Sequence, residues 1–214
     1  MKPFRLIYFG VFLLISVAWL WSGPAPPLFA ADGSVRILFI GDSLSAGLGV
    51  EPEQAYPALI HDMLKEQGVP GAVVTNGSIS GSTTAGALAR LKWFLRVKPD
   101  ILVLALGAND GLRGLSTSEM ARNLDKTIVL AKEKNIRVIL AGMKLPPNYG
   151  LEYARAFQAV YVRLADQHKI PFIPFLLKDV AGRVSLNQSD GIHPNREGHR
   201  IIAATVFPYI LEQL

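Results

Sequence analysis

Cysteine is absent from all 214 residues. That excludes a disulfide framework and a lipid-modified cysteine, so packing alone must hold the fold. Charged residues make up only 18% of the chain and aromatic residues 9%. No stretch interleaves clustered lysine and arginine with aromatic residues, the pattern that tracks phosphates, so no nucleic acid partner is expected. Of the four histidines, His61, His168 and His199 fall on expected helices without partners at metal-ligand spacing. They read as surface or packing residues, and no metal is implied. The glycines after the first expected strand lack the dinucleotide-binding spacing. There is also no internal repeat, low-complexity tract or linker to divide the chain.

What is present begins with Lys2 and Arg5, an uncharged run over 6–21, and small residues near Ala30 and Ala31. This order matches a secretory signal peptide, and the run is short for a membrane span of ~20 residues. A cut after Ala30 or Ala31 fits, whereas the bulky Leu28 and Phe29 fit the small-residue rule poorly, which leaves an uncleaved N-terminal anchor as the alternative. Residues 1–31 are therefore expected to be a leader or anchor and 32–214 an exported catalytic domain, periplasmic or secreted. The full chain carries a formal charge of +5; without Lys2 and Arg5, 20 basic residues face 17 acidic ones, or +3, well interspersed. A monomer is the default expectation, touching membrane only through the leader.

From Val35 onward, short apolar runs alternate with longer amphipathic stretches. Strands are expected at RILFI (36–40), VVT (73–75), ILVLAL (101–106), RVILA (137–141) and 171–174, and helices at 56–67, 83–96, 118–134 with Ser118 as N-cap, 151–168 and 195–214. Nearly continuous apolar strands separated by helices argue for a parallel sheet covered on both faces. Ligands bind such sheets beyond the carboxyl ends of the strands. The candidate chemistry gathers there, in GDS (41–43), NGSISG (76–81) and GAND (107–110).

A serine hydroxyl is a weak nucleophile until a base takes its proton, and that base needs an acceptor on its other ring nitrogen. Ser43 follows the first strand, and DGIH (190–193) places Asp190 and His193 in one local loop near the C-terminus. Donors for a developing oxyanion are available in the backbone amides of Ser43 and Gly81 and the side chain of Asn109. Each residue also has a plain structural reading: Ser43 in a polar turn, Gly81 and Asn109 as turn residues, Asp190 as a helix cap with His193 on the surface. The combination favours chemistry. Asp42 beside the nucleophile is expected to tie loop amides rather than complete the triad.

Taken together, IGDSLSAG (40–47), NGSISG (76–81), LGANDG (106–111) and DGIHPN (190–195) resemble the four blocks of the SGNH, or GDSL, hydrolases, over nearly the whole chain after the leader. The resemblance implies a three-layer α/β/α flavodoxin-like fold with a five-stranded parallel sheet. It further implies Ser43 as nucleophile, Asp190 and His193 completing the triad, Gly81 and Asn109 as oxyanion donors alongside Ser43, and no cofactor. It is nearest to the exported bacterial thioesterase, arylesterase and lysophospholipase branch, in which LPPNYG (145–150) is similar to a mobile loop over the acyl chain. Leu44, Leu112, Leu145, Pro147, Asn148 and Tyr149 are accordingly expected to contact a small acyl ester or thioester. One departure is Ala108, where the third block usually has glycine or threonine. The alternatives are a carbohydrate O-acetylesterase with the same triad and a non-catalytic binding module on the same fold.

Overall fold

The apolar runs become strands β1 (Arg36–Gly41), β2 (Val73–Asn76), β3 (Ile101–Ala105), β4 (Arg137–Ala141) and β5 (Phe172–Ile173) in a computed structural model that describes residues 34–214. The leader reading for 1–31 lies outside the described residues. Every strand pair is parallel, in the order β2-β1-β3-β4-β5. All of β3 is buried, and so is β1 beyond Arg36. Their unbroken apolar character reflects the helices that cover both faces.

Those helices are α1 (Ser43–Ala46), α2 (Tyr56–Glu66), α3 (Ala87–Phe94), α4 (Ala108–Leu112), α5 (Thr117–Glu133), α6 (Leu151–His168) and α7 (Arg196–Leu211). One layer pairs α2 with α7; the other packs α3 against α5 and α5 against α6. The buried residues of α5, Met120, Ala121, Leu124, Thr127, Ile128 and Ala131, recur at helical spacing and give it one apolar face. Each layer so formed closes one side of the α/β/α sandwich.

Three local differences from the expected elements have physical causes. α5 begins at Thr117 with Ser116, not Ser118, as its cap: Ser116 Oγ accepts from the Glu119 N–H at 3.3 Å, a serine three residues ahead of a glutamate. Ser118 instead bonds the Ser116 hydroxyl. The stretch expected as one helix over 83–96 is α3 flanked by 3-10 turns at Thr84–Gly86 and Leu95–Val97. Thr84 is tied by both its N–H and its hydroxyl to Asp110, which holds the first turn apart from the helix. Two further helices, α1 and α4, stand where only turns were expected.

The topology locates the site. From β1 the chain crosses to β2 on one side, then to β3 on the other, and the reversal beyond the carboxyl ends of β1 and β3 is where sheets of this kind bind ligands. Register pairs Gly41 with Ala105, so the turn leaving β1 lies beside the turn leaving β3. Gly107 makes the second of these turns feasible. It has φ +121°, and a Cβ there would sit 2.1 Å from the hydroxyl of buried Tyr161, which donates to the Leu106 carbonyl at 3.0 Å. Gly107→Ala is expected to destabilise the fold by about 3 kcal/mol, from overpacking and the left-handed backbone together. Urea unfolding checks this; a loss below about 1 kcal/mol would contradict it.

Candidate active site

Gly41 ends β1 with no room for a side chain: a Cβ would lie 2.2 Å from Ser45 Oγ, which is buried and bonded to Tyr56 Oη at 2.6 Å. The chain then turns through Asp42 into α1, with Ser43 as its first residue. Asp42 caps that single turn by accepting from the Leu44 N–H at 3.1 Å, and Gly47, at φ 78°, closes it by donating to the Ser43 carbonyl at 3.1 Å. The Ser43 backbone is thus held on both sides while the residue stays half-buried just beyond the carboxyl end of β1.

His193 arrives from the loop before α7. Gly191, at φ 70°, lets that loop fold back, so Asp190 Oδ1 accepts from the N–H groups of Ile192 at 2.9 Å and His193 at 3.0 Å. The other carboxylate oxygen lies 2.6 Å from His193 Nδ1, and His193 Nε2 lies 3.0 Å from Ser43 Oγ. Backbone and side-chain hydrogen bonds from His193 hold the Asp190 carboxyl down at about 2. It stays ionised and accepts a hydrogen bond from Nδ1–H, which leaves the Nε2 lone pair facing the serine hydroxyl. In this arrangement an imidazole can take a hydroxyl proton.

A second carboxylate, that of Asp42, immediately precedes Ser43 in the chain. Asp42 is buried, and desolvation pushes its carboxyl up to about 6 against the N–H of Leu44 and the amide of Asn109. Asn109, in the first turn of α4, donates from Nδ2 to Asp42 Oδ2 at 3.3 Å. Ala108 begins that turn, buried, after Gly107 has absorbed the unusual backbone angle. Gly81 lies in the loop after β2 at φ 76°, with its carbonyl accepting from Arg113 Nη2 at 3.0 Å. That loop is pinned at Thr84, whose N–H and hydroxyl donate to the two oxygens of buried Asp110 at 2.9 and 2.6 Å. Asn109 and the Gly81 loop are therefore tied through adjacent residues.

Sequence reasoning did not reach Asp110, Thr84 or Arg113. For Asp110 a signal existed, a carboxylate in the turn and short helix that follow a strand whose every residue is buried; for Thr84 there was none. The residues expected at substrate divide. Leu44 is only 5% exposed and packs in the core, because the single turn of α1 buries that face. Leu112 is exposed and Leu145 half-buried, while Asn148 is exposed and Tyr149 half-buried. The Tyr149 hydroxyl donates to the Leu112 carbonyl at 3.1 Å, tying the loop after β4 to the end of α4, and that of Tyr153 in α6 donates to the Leu115 carbonyl at 2.7 Å in the loop after α4. Pro147 opens a 3-10 turn, Pro147–Tyr149; its side chain lies outside the described structure.

The other histidines stand apart from Ser43. His168 pairs with Asp125 at 2.7 Å, and His61 lies 3.9 Å from Asp62. His199 is buried against Tyr56, accepts its N–H at Nδ1 (3.3 Å), and is pushed down to about 4 by burial. Its folded value lies below its unfolded one, so as pH falls from about 6.5 towards 4 the unfolded chain binds the proton first and stability is lost. Asp42 has the opposite sign. Raised to about 6, it favours the folded state as pH falls towards 3.8 and offsets the loss at His199. Asp42→Asn leaves His199 unopposed, so acidification from about pH 7 to about pH 4.5 should cost the variant on the order of 2 kcal/mol more than wild type. Urea unfolding at the two pH values checks it, and equal slopes would contradict the opposition.

A family model described as the GDSL-like Lipase/Acylhydrolase family matches residues 39–201. Esterase TesA of Pseudomonas aeruginosa is 42% identical over 173 residues, covering 80% of this chain and 86% of its own. The Arylesterase of Vibrio mimicus is 39% identical over 186 residues, 86% of this chain and 92% of its own. Thioesterase 1/protease 1/lysophospholipase L1 of Escherichia coli K12 is 38% identical over 176 residues, 82% and 83% of the two chains. A crystal structure of TesA superposes with a TM-score of 0.80 at 40% identity, over 84% of this chain and 99% of that one.

Proposed function

The chain belongs to the GDSL-like lipase/acylhydrolase family, and on that premise we propose that it is an esterase and thioesterase with Ser43 as nucleophile, His193 as base and Asp190 as the group orienting His193. One observation carries this reading: the unbroken line from Asp190 Oδ2 through both His193 nitrogens to Ser43 Oγ, at 2.6 and 3.0 Å. Ser43 Oγ bonds to the acyl carbon while its proton passes to Nε2 and the carbonyl electron pair moves onto oxygen. Collapse breaks the bond to the leaving oxygen or sulfur, which takes the proton back from Nε2. Water, activated by the same nitrogen, then cleaves the acyl-enzyme to acid and free Ser43.

The oxyanion is received by the N–H groups of Ser43 and Gly81 and by Asn109 Nδ2. Losing one such donor typically costs ~2.7–4 kcal/mol of transition-state stabilisation. Support comes from the hydrogen bonds that tie Asp42 to Asn109 and Asp110 to the loop after Gly81. The acyl chain is assigned to the surface of Leu112, Leu145, Asn148 and Tyr149, with Pro147 in the same turn; Leu44, buried in the core, is not part of it. The names of the relatives, esterase, arylesterase and thioesterase/lysophospholipase, agree with an ester and thioester range. In this reading 1–31 direct export to the periplasm or beyond, 32–214 form the catalytic unit, and the enzyme acts as a monomer on small acyl substrates, with no nucleic acid partner.

Ser43→Ala should lower kcat/KM for a p-nitrophenyl acyl ester at least about a thousandfold, with the fold kept. Turnover within about tenfold of wild type would remove Ser43 from the mechanism. Across acetyl, butyryl, octanoyl and palmitoyl esters, kcat/KM should rise at least about tenfold from acetyl to octanoyl as methylenes enter the apolar surface. A preference confined to acetyl would favour an acetylated carbohydrate as substrate instead.

A further inference from the structure

We infer that Gln188 is a positioning residue that sets the distance between the loop carrying His193 and the turn carrying Ser43. It lies two residues before Asp190, half-buried, and bonds in both directions. Its backbone N–H donates to the His193 carbonyl at 2.7 Å, and its own carbonyl accepts from the Gly191 N–H at 2.9 Å. Its side-chain Nε2 donates to the Leu48 carbonyl at 2.6 Å and the Pro194 carbonyl at 3.0 Å. Leu48 in turn donates its N–H to the Ser43 carbonyl at 3.1 Å. A relay of three hydrogen bonds therefore joins the backbones of Ser43 and His193 by a route that avoids the reacting atoms.

The side chain fits this task and little else. Both amide protons are engaged, and a flipped amide would set its oxygen against two carbonyl oxygens, so one orientation is fixed. Gly49 leaves the space. At φ +81° it is suited to glycine, and a Cβ there would lie 2.1 Å from Gln188 Oε1. Asp190 and Gln188 thus divide the labour: Asp190 orients the imidazole within its own loop, whereas Gln188 spaces that loop from α1. The bond between Nε2 and Oγ cannot serve as the spacer, because in the proposed mechanism it is broken and remade in every cycle. A small misplacement of a base costs rate steeply, up to ~100-fold for ~1 Å.

This inference rests on Ser43 and His193 acting as proposed, so Ser43→Ala is the control. The test is Gln188→Met, which keeps length and volume but removes both donors. It compares the second-order rate of labelling by a fluorophosphonate, the KM for a p-nitrophenyl ester, the acid-side midpoint of the pH profile and thermal stability. The labelling rate should fall at least about fivefold, with KM within about twofold of wild type and the acid midpoint unmoved, because the Asp190–His193 pair is untouched. A fall of less than about fivefold overturns the inference, as does a loss of melting temperature with labelling unchanged, which marks a purely structural residue. Should the methionine variant fail to fold, the same readings on Gln188→Asn, too short to span both carbonyls, decide the matter. Labelling that survives Ser43→Ala would sink the nucleophile assignment itself; labelling lost there but intact in the Gln188 variants would sink only the spacer.

Discussion

A hydroxyl and an imidazole nitrogen separated by 150 positions in the chain lie 3.0 Å apart, and the surrounding architecture is arranged around keeping them there. One side of that contact is anchored in the sheet, where Gly41 at the end of β1 pairs with Ala105 of β3 and the chain must turn at once into α1. The other side is anchored in α7, whose cap Asn195 accepts from the N–H groups of Glu197 and Gly198 at 3.0 and 3.1 Å and so fixes where the preceding loop ends. Parallel topology makes the meeting possible, because the chain reverses direction across the sheet at β1 and β3 and brings the turns that leave both strands side by side.

Two carboxylates belong to the candidate site, Asp42 next to Ser43 in the chain and Asp190 behind His193, and their environments drive them apart. Asp190 is exposed and ionised down to about 2, held by three hydrogen bonds from its own loop. Asp42 is buried and pushed up to about 6, so its charge at neutral pH depends on the amides of Leu44 and Asn109. The first arrangement suits a group that must stabilise an imidazolium whenever it forms. The second suits a structural tie that orients an amide and is not itself a proton carrier. That contrast comes from where each residue falls, one in a solvent-facing loop and one buried between β1 and α1.

Much of the fold and half of the site were legible in the chain itself. The strands declared themselves because a sheet buried on both faces demands continuous apolar runs such as those at 36–40 and 101–105, and α6 matched its expected bounds because its ends are marked by glycine and a turn. Asp190 and His193 were readable as a pair because they are three residues apart with a glycine between them. Two kinds of feature are not legible in this way. α1 and α4 are single turns too short to show periodicity, and Thr84 and Gln188 act through hydrogen bonds between segments far apart in sequence, which leave no local pattern. Ser116 rather than Ser118 caps α5 for a related reason: two serines spaced by one residue offer the same composition, and only backbone geometry selects between them.

The central claim is that the Ser43 hydroxyl is the group the imidazole activates. Phosphonylation of the intact enzyme and peptide mapping of the product read this directly. The predicted result is one adduct, on Ser43, formed at a rate that falls when His193 is replaced by alanine. An adduct on Ser45, Ser78 or another residue, or full loss of activity with Ser43 unmodified, would contradict it.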